Sequence, residues 1–361
     1  MEKGMSFKIP NIIESGYYKE GHVQGIAVDE EKGFVYYSFT TLLVKTDLAG
    51  NFVGSVKRLS GHLGCITFVP EKRMLYGSLE MKHDQIGRGI IGRTGWDPTE
   101  EDAFYIAGFD VDKIDRAEMD AENDGVMKAM YLREVLEYYK GTDAVSGKEH
   151  IYGCSGIDGI GYGPVFGAGK DSEKKLMVAA GIYGDTERDD NDNQLILQYS
   201  LSDFDKYARP LEQANPHKSG PDSFENKFFL YTGNTTYGVQ NLEYDGYTGN
   251  WLVAVYKGKK GAFNNFPMFV IDGGKSPEIA PVNGRNGEIG NLLSLSETFG
   301  IEGNNGLRGV AFPYGQTGMA SLGNGEVCFS VPLANKEEKT FASRVVKYKT
   351  VPSKAELFEE V

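Results

Sequence analysis

Cysteine is scarce in this chain, and its pattern argues against a disulfide-stabilised scaffold. The 361-residue sequence contains three cysteines, Cys65, Cys154 and Cys328, which are far apart and form no CxxC pair. We therefore expect reduced thiols in a core rather than a disulfide framework. The sequence also lacks GxSxG, HExxH and phosphate-binding glycine motifs, so no short signature assigns a reaction.

An excess of positive charge and long apolar runs are also missing. The 38 lysines and arginines are outnumbered by 51 aspartates and glutamates, which gives a formal net charge of −13. Such a field repels phosphate backbones and anionic membrane surfaces, so neither nucleic acid nor membrane is expected as a partner. No run approaches the ~18 apolar residues that a membrane span needs. The N-terminal MEKGMSFKIPN shows no signal-peptide pattern, which favours a cytoplasmic location.

The sequence is rich in glycine and contains a repeat. Its 47 glycines against 13 prolines indicate many tight turns between short strands. The clearest copy covers residues 22–59 and contains four short strands, QGIAV, FVYYSF, LLVKTDL and FVGSV, joined by polar turns. Further copies begin at His62, Gly156, Gly238 and Gly306.

Sheets of this size are unstable alone, because each leaves two open edges and two uncovered faces. Stacking them around an axis solves both problems. The sequence therefore predicts an all-β fold, a single β-propeller domain over residues 1–361, with about five four-stranded blades and six as the alternative. The stretch from Phe7 to Ser15 resembles the fourth strand of the first copy, and we expect it to complete the last blade and close the ring. A β-sandwich is the competing fold.

Long insertions occupy the same place in three of the copies. They begin at Met81, Gly184 and Lys257, between the second and third strands. If the first strand of each blade is innermost, these loops share one face of the ring with the starts of the innermost strands. Elaborated loops on a rigid scaffold commonly carry function, so a site is expected at this mouth of the axial channel.

Alignment of the copies brings polar residues to the start of the innermost strands. One equivalent position holds Gln24, Gly64, Asp158, Gln240 and Arg308, and two residues earlier the first two copies have His22 and His62. We take Asp158, Arg308 and His62 as candidate catalytic residues. Asp158 could act as a general base or metal ligand, and Arg308 could bind a carboxylate or phosphate group of a ligand. An ion pair between Asp158 and Arg308 across the channel is the structural alternative.

Further side chains are expected to bind ligand at the same mouth, because they lie at the starts of first strands or the ends of second strands. These are His22, Gln24, Glu80, Tyr183, Asp185, Gln240 and Tyr256.

Several strand segments resemble those of propeller families of the NHL and SMP-30/gluconolactonase kind. These segments are QGIAVD with the following VYYSF, and IDGIGYG with the following LMVAAGIYG. The first also resembles blades of plant-type glutaminyl cyclotransferases, and the whole chain resembles an uncharacterised family of gut-bacterial propellers. The SMP-30 resemblance implies a divalent metal, calcium or zinc, on the axis, with Asp158 and Asn241 as ligands. The chain departs from that pattern at Gln24, where a glutamate is expected, and so lacks one anionic ligand.

Two functions from different classes are consistent with these features. One is a hydrolase of the lactonase or esterase kind, acting on a small polar molecule such as a sugar derivative. The alternative is a non-catalytic propeller that binds a ligand or a protein with its elaborated face. A bound metal would favour the first, and saturable binding without turnover would favour the second.

Overall fold

Each copy of the repeat forms an antiparallel sheet, and the sheets are arranged as the five blades of a β-propeller. The computed structural model describes residues 7–59, 61–144, 146–353 and 355–361. The innermost strands of successive blades lie beside one another, and those of the first and fifth blades also meet. The predicted all-β propeller is therefore confirmed, with five blades rather than six.

The strands run outward from the axis in chain order within each blade. The chain begins with β1 (Ile12–Glu14), which belongs to the last blade. Blade one comprises β2 (Val23–Asp29), β3 (Phe34–Phe39), β4 (Leu42–Asp47) and β5 (Phe52–Lys57). Blade two comprises β6 (His62–Val69), β7 (Met74–Met81) and β8 (Ala103–Asp110), then, after β9 (Met119–Asp120), the outer strand β10 (Met127–Tyr131). Strand β9 itself extends blade one by pairing in parallel with β5.

The remaining blades carry more irregular additions. Blade three comprises β11 (Cys154–Pro164), β12 (Lys174–Ile182), β13 (Asn193–Tyr199) and β14 (Asn226–Tyr231). Blade four comprises β15 (Thr235–Asp245), β16 (Asn250–Lys257) and β17 (Met268–Ile271). Strands β18 (Glu278–Pro281) and β19 (Ile289–Leu292) extend blade three, and β20 (Ile301–Glu302) pairs with β21 (Arg308–Gly309). Blade five comprises β22 (Met319–Ser321), β23 (Glu326–Asn335) and β24 (Thr340–Thr350), with β25 (Phe358–Glu360) paired to β24.

Three α-helices lie in connections among the described residues: α1 (Gln85–Thr94), α2 (Arg133–Lys140) and α3 (Leu201–Tyr207). Two short 3-10 turns cover Pro70–Lys72 and Ile151–Gly153. None of the helices in the described part of the chain is long and apolar enough to cross a membrane. The three cysteines are buried and unpaired, as predicted.

The N-terminal segment closes the ring, as the sequence predicted. Strand β1 pairs antiparallel with β24, and Ile13 lies opposite Val345. Both side chains are buried in the core of the first and fifth blades. Because the two chain ends are joined in one sheet, the outer edge of β24 is covered where it would otherwise be open.

The predicted start of blade five is wrong. The stretch from Gly306 was expected to form its innermost strand, but that strand is β22, in which Met319 lies opposite Phe329 of β23. Arg308 instead lies in β21, opposite Glu302. Blade four also departs from the four-strand expectation, because only isolated bridges, at Val310 and Leu295, lie outside β17 in the described residues.

Serine hydroxyls tie neighbouring blades together beside the axis. Ser38 in blade one donates to the Gly64 carbonyl at 2.7 Å, and Ser78 in blade two donates to the Asp158 carbonyl at 2.6 Å. Gly64 is required there, because a Cβ atom would lie 2.4 Å from the Ser78 hydroxyl oxygen. These bonds fix the position of the backbone that carries Asp158.

We expect Ser78→Ala to lower the free energy of unfolding by about 1–3 kcal/mol, because the partly buried Asp158 carbonyl loses its donor. Urea denaturation of the variant measures this loss. Thr186→Ala, which changes an exposed hydroxyl, is the matched control and should stay within about 0.5 kcal/mol of the parent protein. Equal midpoints for the two variants would show that the Ser78 bond does not hold the blades.

Candidate functional site

The starts of innermost strands and the long loops do share one face of the ring. In blade two, His62 at the start of β6 lies opposite Glu80 near the end of β7. In blade four, Thr235 at the start of β15 lies opposite Lys257 at the end of β16. The loop after β7 carries helix α1, so this elaborated face has the additional structure that the sequence predicted.

Three titratable side chains from two neighbouring blades meet at the mouth of the channel. His62 Nδ1 lies 3.4 Å from Glu80 Oε1 and 3.4 Å from Asp158 Oδ1. The side chains of His62, Glu80 and Asp158 are 11%, 2% and 13% exposed, respectively. We call these three residues the acidic triad. The structure thus brings two predicted catalytic residues and one predicted ligand-binding residue to one point.

A buried lysine balances the charge of Glu80. The Lys82 side chain is 4% exposed, and its Nζ lies 2.7 Å from Glu80 Oε1 and donates to the Ser155 carbonyl at 2.8 Å. The Ile157 backbone N–H donates to Glu80 Oε2 at 3.1 Å. Burial opposes ionisation of Glu80, but Lys82 and His62 outweigh it and lower the pKa. Glu80 is therefore held ionised and fixed in orientation.

Asp158 has a different environment from Glu80. Burial and the neighbouring Glu80 charge raise the pKa of Asp158 to about 6. The Gln240 amide donates to Asp158 Oδ2 at 3.1 Å, leaving Oδ1 directed at His62. Nearby, burial and the Asp158 charge raise the pKa of Tyr256 to about 12, so its hydroxyl stays protonated at neutral pH. Two carboxylates with pKa values displaced in opposite directions are typical of functional sites.

A second imidazole lies on the blade-one side of the mouth. His22 Nε2 is 3.0 Å from the Gln24 amide nitrogen, which also lies 3.4 Å from the Thr40 hydroxyl. Desolvation of the His22 ring by surrounding atoms, to which the neighbouring His62 and Arg93 add, lowers the pKa of His22 to about 4. His22 is thus neutral at neutral pH, with Nε2 accepting the Gln24 hydrogen bond.

Asn241 does not join the acidic triad. Its amide nitrogen donates to the Gln24 carbonyl at 2.9 Å and the Gln316 carbonyl at 3.2 Å, and its oxygen accepts from Cys65 Sγ at 3.1 Å. The side chain therefore links inner segments of four blades and is saturated by protein partners. The structure does not support the prediction that Asn241 and Asp158 share a metal.

Two other predicted residues, Arg308 and Asp185, lie apart from the triad. Arg308 donates to the Gly300 carbonyl at 2.9 Å and lies 3.6 Å from Glu302, so its predicted position beside the axis is wrong, as is its ion pair with Asp158. Asp185 is exposed and accepts from the Glu187 backbone N–H within its own loop, so it does not reach the mouth.

Tyr183 is linked to the triad only indirectly. Its hydroxyl donates to Asp84 Oδ2 at 2.9 Å, and the same carboxylate lies 3.7 Å from Lys82 Nζ. Sequence reasoning missed Lys82 and Asp84. The strand pattern gave no signal for them, because β7 ends at Met81 and Asp84 already caps helix α1, so the alternation of strand side chains does not extend to either residue.

The acidic triad has donor atoms that suit a divalent cation, and its Glu80 Oε1 also contacts the Lys82 ammonium at 2.7 Å. One ligand atom from each residue lies within 4.8 Å of the other two. In a tetrahedral zinc site with bonds of about 2.1 Å, neighbouring ligands are about 3.4 Å apart, which matches both distances from His62 Nδ1. That buried nitrogen makes no hydrogen bond among the described residues. An imidazole ligand favours zinc over calcium, which prefers oxygen ligands throughout.

A partly buried glutamate lies farther along the inner strand of blade four. Glu243 Oε1 accepts a hydrogen bond from the Ser321 backbone N–H at 2.8 Å. Burial, to which the Asp245 charge adds, raises the pKa of Glu243 from 4.5 to about 8. The folded protein therefore binds this proton more tightly than the unfolded chain does.

The Glu243 contribution to stability should be complete below about pH 4.5 and lost as the pH rises toward about 8. Glu243→Gln keeps a neutral acceptor for Ser321, so it should be more stable than the parent protein at pH 9 and close to it at pH 4.5. Urea denaturation at the two pH values tests this. The exposed Glu337→Gln serves as control and should show no such difference. A parallel pH dependence of parent and Glu243→Gln would contradict the assignment.

Comparison with known proteins assigns no family to this chain. The chain is similar in structure to the β-propeller domain of Myceliophteria thermophila Cps50 (Swd1), with 10% sequence identity and a TM-score of 0.32, over 91% of this chain and 84% of that chain. No family model and no curated protein sequence matches the chain. The resemblance to NHL and SMP-30-like propellers therefore stays a prediction.

Proposed function

We propose that the chain is a metal-assisted hydrolase of the esterase or lactonase kind, with its site at the channel mouth on the elaborated face. The observation that carries this proposal is the convergence of His62, Glu80 and Asp158, with the His62 Nδ1 atom 3.4 Å from both carboxylates and without a hydrogen bond among the described residues. A divalent cation held by the triad, for which zinc is the best fit, would polarise the substrate carbonyl oxygen.

The surrounding residues have distinct tasks in this proposal. Lys82 and the Ile157 backbone hold the Glu80 carboxylate in one orientation. Gln240 holds one oxygen of Asp158, so the other points toward His62. The protonated Tyr256 hydroxyl would donate a hydrogen bond to a small substrate, and the neutral His22 imidazole would provide a polar surface beside it. These are the groups that would position an ester or lactone.

A panel of aryl esters and lactones, assayed with zinc-loaded protein, tests the proposal. We expect hydrolysis of at least one member, and a decrease of about 100-fold or more in kcat/KM for Asp158→Asn, because the cation would lose one of its two carboxylate ligands. Asp185→Asn makes the same chemical change on an exposed loop and should leave the rate unchanged. Absence of zinc-dependent hydrolysis across the panel, or equal rates for the two variants, would contradict the proposal.

A further inference from the structure

A cavity of about 440 Å³ lies between blade one and the C-terminal end of helix α1. Its walls come from the segment before β2, the turn after β3, the end of β5 and the end of α1. The lining residues used below are Lys19, Glu20, Lys57, Arg58, Arg93 and Trp96. We call this the basic cavity, because it contains four cationic side chains and one carboxylate.

Two of those cations, Lys19 and Arg93, are exposed and have no acidic partner among the described residues. Lys57 lies 3.3 Å from Glu20, and Arg58 lies 3.0 Å from Asp120. No carboxylate in the described part of the chain lies within ion-pair distance of Lys19 or Arg93. In a protein with a net charge of −13, two unpaired cations in one cavity are a local reversal of the overall field.

The same cavity has an aromatic wall. Trp96 is partly buried, and the Arg58 guanidinium lies over its ring at 5.3 Å. A flat apolar surface beside cationic groups favours ligands that combine a ring with a negative charge. The other tryptophan, Trp251, is fully buried in blade four.

Arg93 joins the basic cavity to the channel mouth. Gly21 adopts a φ of +96°, and a Cβ atom there would lie 2.6 Å from Arg93 Nη1 and 2.3 Å from the Thr40 hydroxyl oxygen. The absence of a side chain at Gly21 is what lets the guanidinium approach this strand. The next residue is His22, whose ring lies 3.0 Å from the Gln24 amide nitrogen and is close enough to both Arg93 and His62 for electrostatic interaction.

We propose that the basic cavity binds small organic anions that carry a flat ring, with Arg93 holding the anionic group and Trp96 contacting the ring. The proposal rests on the proposed function, for which it names the substrate class: an ester or lactone with a carboxylate or phosphate group. The charged end would occupy the cavity while the reacting bond reaches His62.

Phenyl phosphate is a suitable probe, since it joins a ring to a phosphate. We expect saturable binding by isothermal titration calorimetry and quenching of Trp96 fluorescence, with Trp251 as a constant background. Arg93→Ala should raise the Kd about tenfold or more, because a charge-assisted contact is lost. Arg88→Ala removes the same charge from another exposed position on the same helix, one that does not line the basic cavity, and should leave the Kd unchanged. Benzyl alcohol, which has the ring without the charge, should not bind.

Three outcomes would overturn the inference: no binding of phenyl phosphate at millimolar concentration, equal effects of the two arginine variants, or equal binding of benzyl alcohol. Binding to Asp158→Asn separates this inference from the proposed hydrolysis. Unchanged phenyl phosphate affinity in that variant supports a distinct anion subsite even where no ester is hydrolysed. Hydrolysis of neutral esters alone, without anion binding, would support the reaction and overturn the substrate class.

Discussion

Replacement of His62 by alanine is expected to raise the Kd for zinc at least about 100-fold. Loss of a residue that only orients a ligand commonly costs 10–100-fold in metal affinity, and His62 would be the sole nitrogen ligand in the triad. Its Nδ1 lies 3.4 Å from both carboxylates and is the atom of the triad that contacts them both. Isothermal titration calorimetry of the purified, chelator-treated protein with zinc measures the effect.

The control for this experiment is His217→Ala. His217 lies away from the triad, with its ring beside Tyr105. Its removal should leave the zinc affinity unchanged, and urea denaturation should show that both variants remain folded. Equal zinc binding by His62→Ala and the parent protein would remove the metal from the proposed function. The same titration with calcium should give much weaker binding, because calcium prefers a shell of oxygens.

Replacement of Lys82 by methionine is expected to lower the free energy of unfolding by about 3–5 kcal/mol. The substitution keeps the length of the side chain but removes a buried cation that lies 2.7 Å from Glu80, and it leaves that carboxylate buried without its main counter-charge. The Ser155 carbonyl also loses its donor. Urea denaturation at pH 7 measures the difference.

Lys72→Met is the matched control, because Lys72 forms an exposed ion pair with Asp205 at 2.7 Å. Exposed pairs contribute about 0–1 kcal/mol, so this variant should stay near the parent protein. Adding Glu80→Gln to Lys82→Met should restore part of the lost stability by removing the unpaired charge. If Lys82→Met costs no more than Lys72→Met, the Glu80–Lys82 pair does not stabilise the mouth.

The two effects have one origin, the burial of unlike charges where blades two and three meet. The triad places two carboxylates close together, and their repulsion is reduced by Lys82 and by protonation of Asp158 near pH 6. Burying two carboxylates side by side destabilises the folded protein, and a core with a purely structural role would not contain such a pair. The acidic triad is therefore the strongest candidate for a functional site on the elaborated face.

The sequence by itself determined the repeat, a ring of about five blades and its closure by the N-terminal strand, and the structure settled the number at five. Alternating apolar strands and polar turns are local signals, and the need to cover sheet faces converts them into a ring. The pairing register of neighbouring strands also follows from the local pattern of strands and turns. It placed His62, Glu80 and Asp158 at strand ends on one face of the ring, so all three were predicted at the same mouth. The start of blade five was misplaced, because a glycine followed by two apolar residues occurs both near Gly306 and near Gly318.

Only the tertiary structure decided which polar residues meet. The distances from His62 to a carboxylate of its own blade and to one of the next blade depend on the angle between sheets, which no local pattern encodes. The same is true of Lys82 beside Glu80, of Asn241 bridging inner strands and of Arg93 passing over Gly21. Side chains far apart along the chain become neighbours through packing between blades, and that packing is a property of the closed ring.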